Sequence, residues 1–356
     1  MYSPWIFFSL GSVYYFYSIF CNKREEGKKH NKKDIFFFAL YSLLSLYTSF
    51  YTVLLFVFQF LYVLFHRGNK KVLTGFSVIM GIVFLSFFPY LIIYINNLID
   101  YGQVHEIGFK KESSILFIPY ALNCFSLGTS YGPSLAELHF SRSIKLFLSY
   151  PSFALAMALF GVLFLSGLYY IRKSNCFLFF SLYFLVPFLF PFIVSLISKS
   201  ISFNVRHTII ALPSFLTIIA YGIRNLCIYA DTSPFLIAVK KYVPLTLLVV
   251  LSFYSLNNYY FNPRYYKDDI RNAALHVEKN ELSGDKLFIP SSFREFGYYY
   301  RGSSEIVMKA EGKNLWVILM REWEYPRLKW DNVYAEKEYT EFPGVKIYKL
   351  EEIEDD

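Results

Sequence analysis

The chain has 356 residues, 55% of them apolar and 17% charged, with a net charge of +8 and a mean hydropathy of +0.36. So apolar a composition excludes an ordinary soluble domain and implies an integral membrane protein. The basic residues fall in short clusters between apolar runs, which excludes a nucleic-acid-binding stripe and leaves membrane topology as their explanation.

Crossing a hydrocarbon core of about 30 Å takes roughly 20 helical residues. Runs apolar enough to do so lie at about 4–21, 73–97, 152–171, 176–198, 208–223 and 242–258. A further apolar run, 35–65, is too long for one span. Lys23, Arg24, Lys28, Lys29, Lys32 and Lys33 precede it, and Arg67, Lys70 and Lys71 follow it. Basic clusters mark the cytoplasmic side, so the segment is expected to go out and return as a hairpin of two short helices, turning near Tyr47 to Tyr51. The other loops then alternate. Fourteen Lys and Arg fall in the loops placed inside, against six in the outside loops 98–151 and 199–207. The expected fold is mainly α: a polytopic membrane domain, 1–258, of about eight transmembrane helices with both ends outside, followed by a small α/β extracytoplasmic domain, 259–356.

Met1 stands directly before a span that enters from outside, with no basic leader, so a missing preceding segment is expected. Within 98–151 the stretch ILFIPYALNCFSL is too short to span and reads as an interfacial helix, with LGTSYGPSLAELHFSRS bending behind it. Beyond 258 the composition turns polar. DDIRNAALHVEKNEL reads as a capped amphipathic helix, KLFIP and NLWVILM as buried strands, and VYAEKEY and GVKIYKL as a pair joined through a Pro-Gly turn. Cys21, Cys124, Cys176 and Cys227 lie in or beside apolar runs without metal spacing and read as buried thiols.

Four segments, in this order, resemble the GT-C superfamily of polyprenol-phosphate-sugar-dependent membrane glycosyltransferases, especially bacterial relatives of the dolichyl-phosphate-mannose protein mannosyltransferases. LYTSFYTVLLFVFQFLYVL at 46–64 is similar to the family's short hairpin, with Ser49 where the family commonly has histidine. LGTSYGPSLAELH at 127–139 resembles an outside-loop pattern of Gly, Gly-Pro-Ser and Glu-Leu. VRHTIIALPSFLTIIAYG at 205–222 resembles the arginine at the outer mouth of a span with its Leu-Pro pair, and YYKDDIRNAALHVEKNELSGDKLFI at 265–289 the outer α/β tail. The resemblance also implies that the first span and the following outside loop, which carries the family's catalytic Asp or Asp-Glu pair, precede Met1.

The resemblance implies that Arg206 holds the donor phosphate and stabilises the charge that grows on it as the sugar leaves; the alternative is an arginine snorkelling to headgroups. His207 is a second phosphate donor or a solvated interfacial histidine. Glu137, with His139 two positions on, is a candidate acid, base or metal ligand of a sugar pocket, against a role in loop packing. Tyr131 is a candidate stacking platform or an interface anchor. Asp268 and Asp269 read as caps of the amphipathic helix. No cofactor is assigned, and a divalent metal ion stays open. The expected function is transfer of a sugar from a polyprenyl-phosphate donor to an unknown acceptor hydroxyl at the outer face of the plasma (inner) membrane. The alternative is a non-catalytic derivative that binds the lipid-linked sugar or a partner subunit. Membrane lipid is an expected partner and nucleic acid is not.

Overall fold

A computed structural model of the chain describes residues 2–21, 32–67, 70–104, 117–134, 137, 144–197, 205–228, 234–290, 293–307, 309–320 and 333–353. The basic cluster at 23–29 and His139 lie outside them. The protein is mainly helical with a small C-terminal sheet. It divides into a helical unit, residues 1–126 with 155–248, and a sheet unit, residues 127–154 with 249–356.

The helical unit begins with α1 (Tyr2–Phe16) and a π-helical turn, Tyr17–Cys21. Helices α2 (Lys32–Thr48) and α3 (Thr52–Arg67) form the expected reversal. Ser49 closes it: its carbonyl accepts from the Thr52 amide at 3.1 Å and its hydroxyl from the Tyr51 amide at 3.4 Å. Helix α4 (Lys70–Val104) contains Pro89, and α5 (Phe117–Leu127) coincides with the short helix expected in the outside loop. The short α6 (Ile144–Leu148) belongs to the sheet unit; then come α7 (Pro151–Ile171), α8 (Phe177–Ile197), a 3-10 turn Val205–Ala211 running into α9 (Leu212–Ile228), and α10 (Pro234–Phe261), whose last part also belongs to the sheet unit.

Four helical stretches are long and apolar enough to cross a membrane among the described residues: Lys70–Asn96, Pro151–Ile171, Phe177–Ile197 and Val205–Asn225. The other four expected spans fall short for a physical reason. At 1.5 Å per residue, α2 with 17 residues and α3 with 16 reach only about 25 Å. The α-helical part of 4–21 stops at Phe16. The apolar part of α10 is bounded by Lys240 and Lys241 before it and by Asn257 and Asn258 after it.

Without a hydrophobic drive between helices in lipid, polar contacts and close packing must hold them together. A buried ladder does so here: Ser9 pairs with Ser45 and Ser12 with Ser42, each at 2.8 Å, and Gln59 donates to Ser12 at 3.2 Å. Around it the many phenylalanines form the core. Phe16, fully buried, meets Phe20, Phe38, Phe58, Tyr62, Phe76 and Phe179 with ring centroids 5.2 to 6.4 Å apart, mostly tilted or edge-on. Those are the separations at which ring quadrupoles attract.

In the sheet unit α11 (Ile270–Asn280) starts where Asp269 accepts from the Asn272 amide at 3.2 Å, and it buries Ala273, Ala274 and Val277 on one face. Strands β1 (Lys286–Phe288), β2 (Glu305–Val307), β3 (Asn314–Met320), β4 (Tyr334–Phe342) and β5 (Val345–Glu352), with α12 (Phe293–Tyr299) between β1 and β2, form one sheet in the order β2-β1-β3-β5-β4. The β1 pairings are parallel, and β3-β5 and β4-β5 are antiparallel. Gly344, at φ +71°, makes the Pro-Gly turn that joins β4 to β5.

Candidate functional site

Arg206 and His207 sit in the 3-10 turn that opens α9. The turn is fixed locally by the Thr208 hydroxyl, which donates to the Val205 carbonyl at 2.8 Å. Pro213 follows as the second residue of α9, at the change from 3-10 to α-helix. His207 is held from across the fold: its ring stacks on Tyr51, centroids 3.9 Å apart and planes 14° from parallel. Tyr51 belongs to the α2–α3 reversal, which is tied to α1 by the Trp5 indole N–H donating to Thr52 Oγ1 at 2.8 Å. Three segments far apart in sequence therefore meet here, and the exposed Arg206 is the residue next to the stacked histidine. A guanidinium so placed presents a forked set of donors suited to an oxyanion.

Glu137 belongs to the sheet unit, in a second cluster. It forms a reciprocal capping box with Ser134: its Oε2 accepts from the Ser134 amide at 2.8 Å and hydroxyl at 3.0 Å, while its own amide donates to Ser134 Oγ at 3.3 Å. Tyr150 donates to Oε1 at 3.0 Å, and Arg264 pairs with Oε2. Arg264 also donates to the Tyr150 hydroxyl, and its guanidinium carbon lies 4.8 Å from the centre of that ring. Partial burial raises the Glu137 pKa, but the donors from Ser134, Arg264 and Tyr150 outweigh it and hold the carboxyl below the ordinary carboxylate range. The Tyr150 hydroxyl moves up, by burial first and by the adjacent carboxylate second. A carboxylate held ionised by four donors is a weak base and a poor proton donor, so the geometry makes Glu137 a structural clamp.

Tyr131 is buried at 4% exposure, its hydroxyl donating to the Ser152 carbonyl at 3.1 Å and its ring edge-on to Tyr254 at 5.8 Å. A ring so buried offers no open face for a sugar to stack on. Asp269 caps α11, and among the described residues no group of three or more His, Cys, Asp or Glu side chains is placed to hold a metal ion. Glu137 and Tyr131 thus share the sheet unit, and Arg206 and His207 the helical unit.

Sequence reasoning missed Arg264, Tyr150 and Tyr51 as partners. The Ser134 to Glu137 spacing was readable as a capping box; no local signal joins Glu137 to Arg264, 127 positions away. The chain matches no known family model, no curated protein and no solved structure.

Proposed function

We propose that this protein is a glycosyltransferase of the GT-C kind, or part of one, that binds a polyprenyl-phosphate-linked sugar at the outer face of a bacterial plasma membrane, with Arg206 as the phosphate ligand and His207 beside it, for transfer of the sugar to an acceptor hydroxyl. One observation carries the reading: the Tyr51 to His207 stack brings together the hairpin and the arginine-bearing turn, two of the segments on which the resemblance rests. In the proposed arrangement the short helices also cross, giving eight spans with both ends outside, and the sheet unit is extracytoplasmic. A second reading, a non-catalytic binder of the same lipid, is favoured by Glu137, whose lone pairs are committed to Ser134, Tyr150 and Arg264.

Binding of a polyprenyl phosphate to the folded protein in nanodiscs tests the common element. Arg206→Ala should weaken it by about 1.5 to 3 kcal/mol, the range for a hydrogen bond to a charged group. Arg206→Lys should recover only part, because an ammonium keeps the charge but loses the fork. An uncharged polyprenol should be indifferent to both substitutions. Equal phosphate affinity in all three proteins would leave Arg206 as a headgroup anchor. Sugar transfer from the lipid donor by the same preparation separates enzyme from binder.

A further inference from the structure

Four tyrosines, Tyr259, Tyr260, Tyr265 and Tyr266, line a pocket of about 310 Å³ in the sheet unit, with Pro343 of the β4–β5 turn also in its wall. The volume lies at the lower end of the range for small-molecule sites, about 300 to 1,000 Å³. Local structure explains the clustering. Helix α10 ends at Phe261, and Asn262 caps a 3-10 turn, Pro263–Tyr265, by accepting from the Arg264 amide at 3.1 Å. The turn bends the chain between Tyr259–Tyr260 at the end of α10 and Tyr265–Tyr266, and both pairs line one space. Two members are anchored: the Tyr265 hydroxyl donates to the Gly132 carbonyl at 2.6 Å, and Tyr259 carries the Lys267 ammonium 5.9 Å from its ring centre. Tyr260 and Tyr266 are exposed, 64% and 43%, and so are open to a ligand.

The polar part of the lining decides what the ligand is. Lys267, Asp268 and Asp269 are consecutive, so the lining sets strong donors and strong acceptors side by side, with an ammonium against an incoming cation's charge and two carboxylates partly balanced by it. A neutral polyol uses both kinds of group at once: its hydroxyls donate to the carboxylates and accept from the ammonium, and its C–H face suits a tyrosine ring. Asp269 is rigid, its amide bonded to the Pro343 carbonyl at 2.8 Å and its carboxylate to Asn272. We propose that this pocket binds a neutral saccharide unit, with Tyr260 and Tyr266 as stacking faces and the Lys267–Asp269 segment as the hydroxyl reader. The site lies in the other unit from Arg206 and does not depend on the lipid phosphate.

The test uses the full chain in nanodiscs, with saturation-transfer NMR and titration of the methyl glycosides of mannose, glucose, galactose and N-acetylglucosamine. Tetramethylammonium and inorganic phosphate serve as charged comparators. At least one glycoside should bind saturably. Tyr266→Ala and Tyr260→Ala should each lower that affinity by roughly tenfold, and Tyr266→Phe should retain it. Inorganic phosphate should not compete with the bound glycoside, which separates this site from the phosphate site. If a variant's melting temperature falls, Tyr266→Leu, which fills the space without a ring, carries the same comparison. Saturable binding by no glycoside, equal affinity in wild type and Tyr266 variants, or binding of a charged comparator alone would overturn the proposal.

Discussion

Glu137 shows what a single carboxylate does when its donors are supplied from three directions. Because its folded pKa lies below the ordinary value of 4.5, the clamp contributes stability that is present above that value and is lost as pH falls through the lower folded one. Both partners are about a third exposed, 37% for Glu137 and 34% for Arg264, so solvent screening limits the contribution to about 1 kcal/mol or less. Glu137→Gln should therefore lower the melting temperature at pH 7, and the deficit should shrink as the pH falls below the ordinary carboxylate value and the native carboxyl takes up its proton. A deficit of the same size at every pH would place the effect in packing.

Asp285 is the contrasting case, with its side chain fully buried. It accepts from the Trp316 indole at 2.8 Å and the Leu282 amide at 3.0 Å, and the Lys349 ammonium lies 3.6 Å away, itself 4.6 Å from the centre of the Trp316 ring. Removing one partner of a buried pair strands the others, so Asp285→Ala should cost about 3 kcal/mol or more, and Asp285→Asn, which keeps an acceptor, less. Thermal unfolding followed by near-ultraviolet dichroism reads this, and an unchanged Asp285→Ala transition would show that Lys349 and Trp316 find other partners. Neither cluster is visible from local sequence: Trp316 lies 31 positions from Asp285, and a lone Asp before a strand reads as a turn residue.

At the level of elements, α7 and α9 cross where each has a glycine. A Cβ on Gly167 would collide with the Ile218 carbonyl, and one on Gly222 with the Leu163 carbonyl, so each backbone rests on the other in the manner of small-residue membrane crossings. Gly167→Ala and Gly222→Ala should each destabilise the detergent-solubilised protein by about 1 to 3 kcal/mol, the usual cost of overpacking. Gly161, with nothing within 4 Å of its Cβ position, should accept alanine without loss and serves as the control. If all three variants melt together, the crossing does not limit stability.

Elements that declare themselves through charge, capping or turn chemistry were legible. The reversal at Ser49 to Tyr51 followed from basic clusters on both flanks, α11 from its cap and periodicity, and the β4–β5 pair from Pro343-Gly344. What was not legible is tertiary. A serine inside an apolar helix reads as a tolerated polar residue, and only the fold shows that Ser9, Ser12, Ser42 and Ser45 face one another. Strand β2 and helix α12, with three and seven residues, are too short to carry a periodic pattern. The Tyr51 to His207 contact joins two stretches the sequence flagged separately, with no pattern linking them.

For the molecule as a whole, the distribution of Lys and Arg sets the expected sidedness. Arg172 and Lys173 follow α7, one of the four stretches able to cross, and Arg172 lies with its guanidinium carbon 4.0 Å from the centre of the Tyr169 ring, an aromatic-basic pairing suited to a membrane boundary. Asp and Glu contribute little to orientation, so this loop is expected in the cytoplasm and the sheet unit outside. Two exposed positions test it, Lys173 between α7 and α8 and Lys309 between β2 and β3. In a chain whose four native cysteines are replaced, a membrane-impermeant maleimide applied to intact cells should label Lys309→Cys and should label Lys173→Cys only after the membrane is opened. The reverse pattern would invert the orientation and place Arg206 on the cytoplasmic face, away from an extracytoplasmic acceptor. Labelling of both positions in intact cells would mean that the segments between them cross the membrane an even number of times, and α10, which is not among the four stretches able to cross, would then be the first element to reassign to the membrane surface.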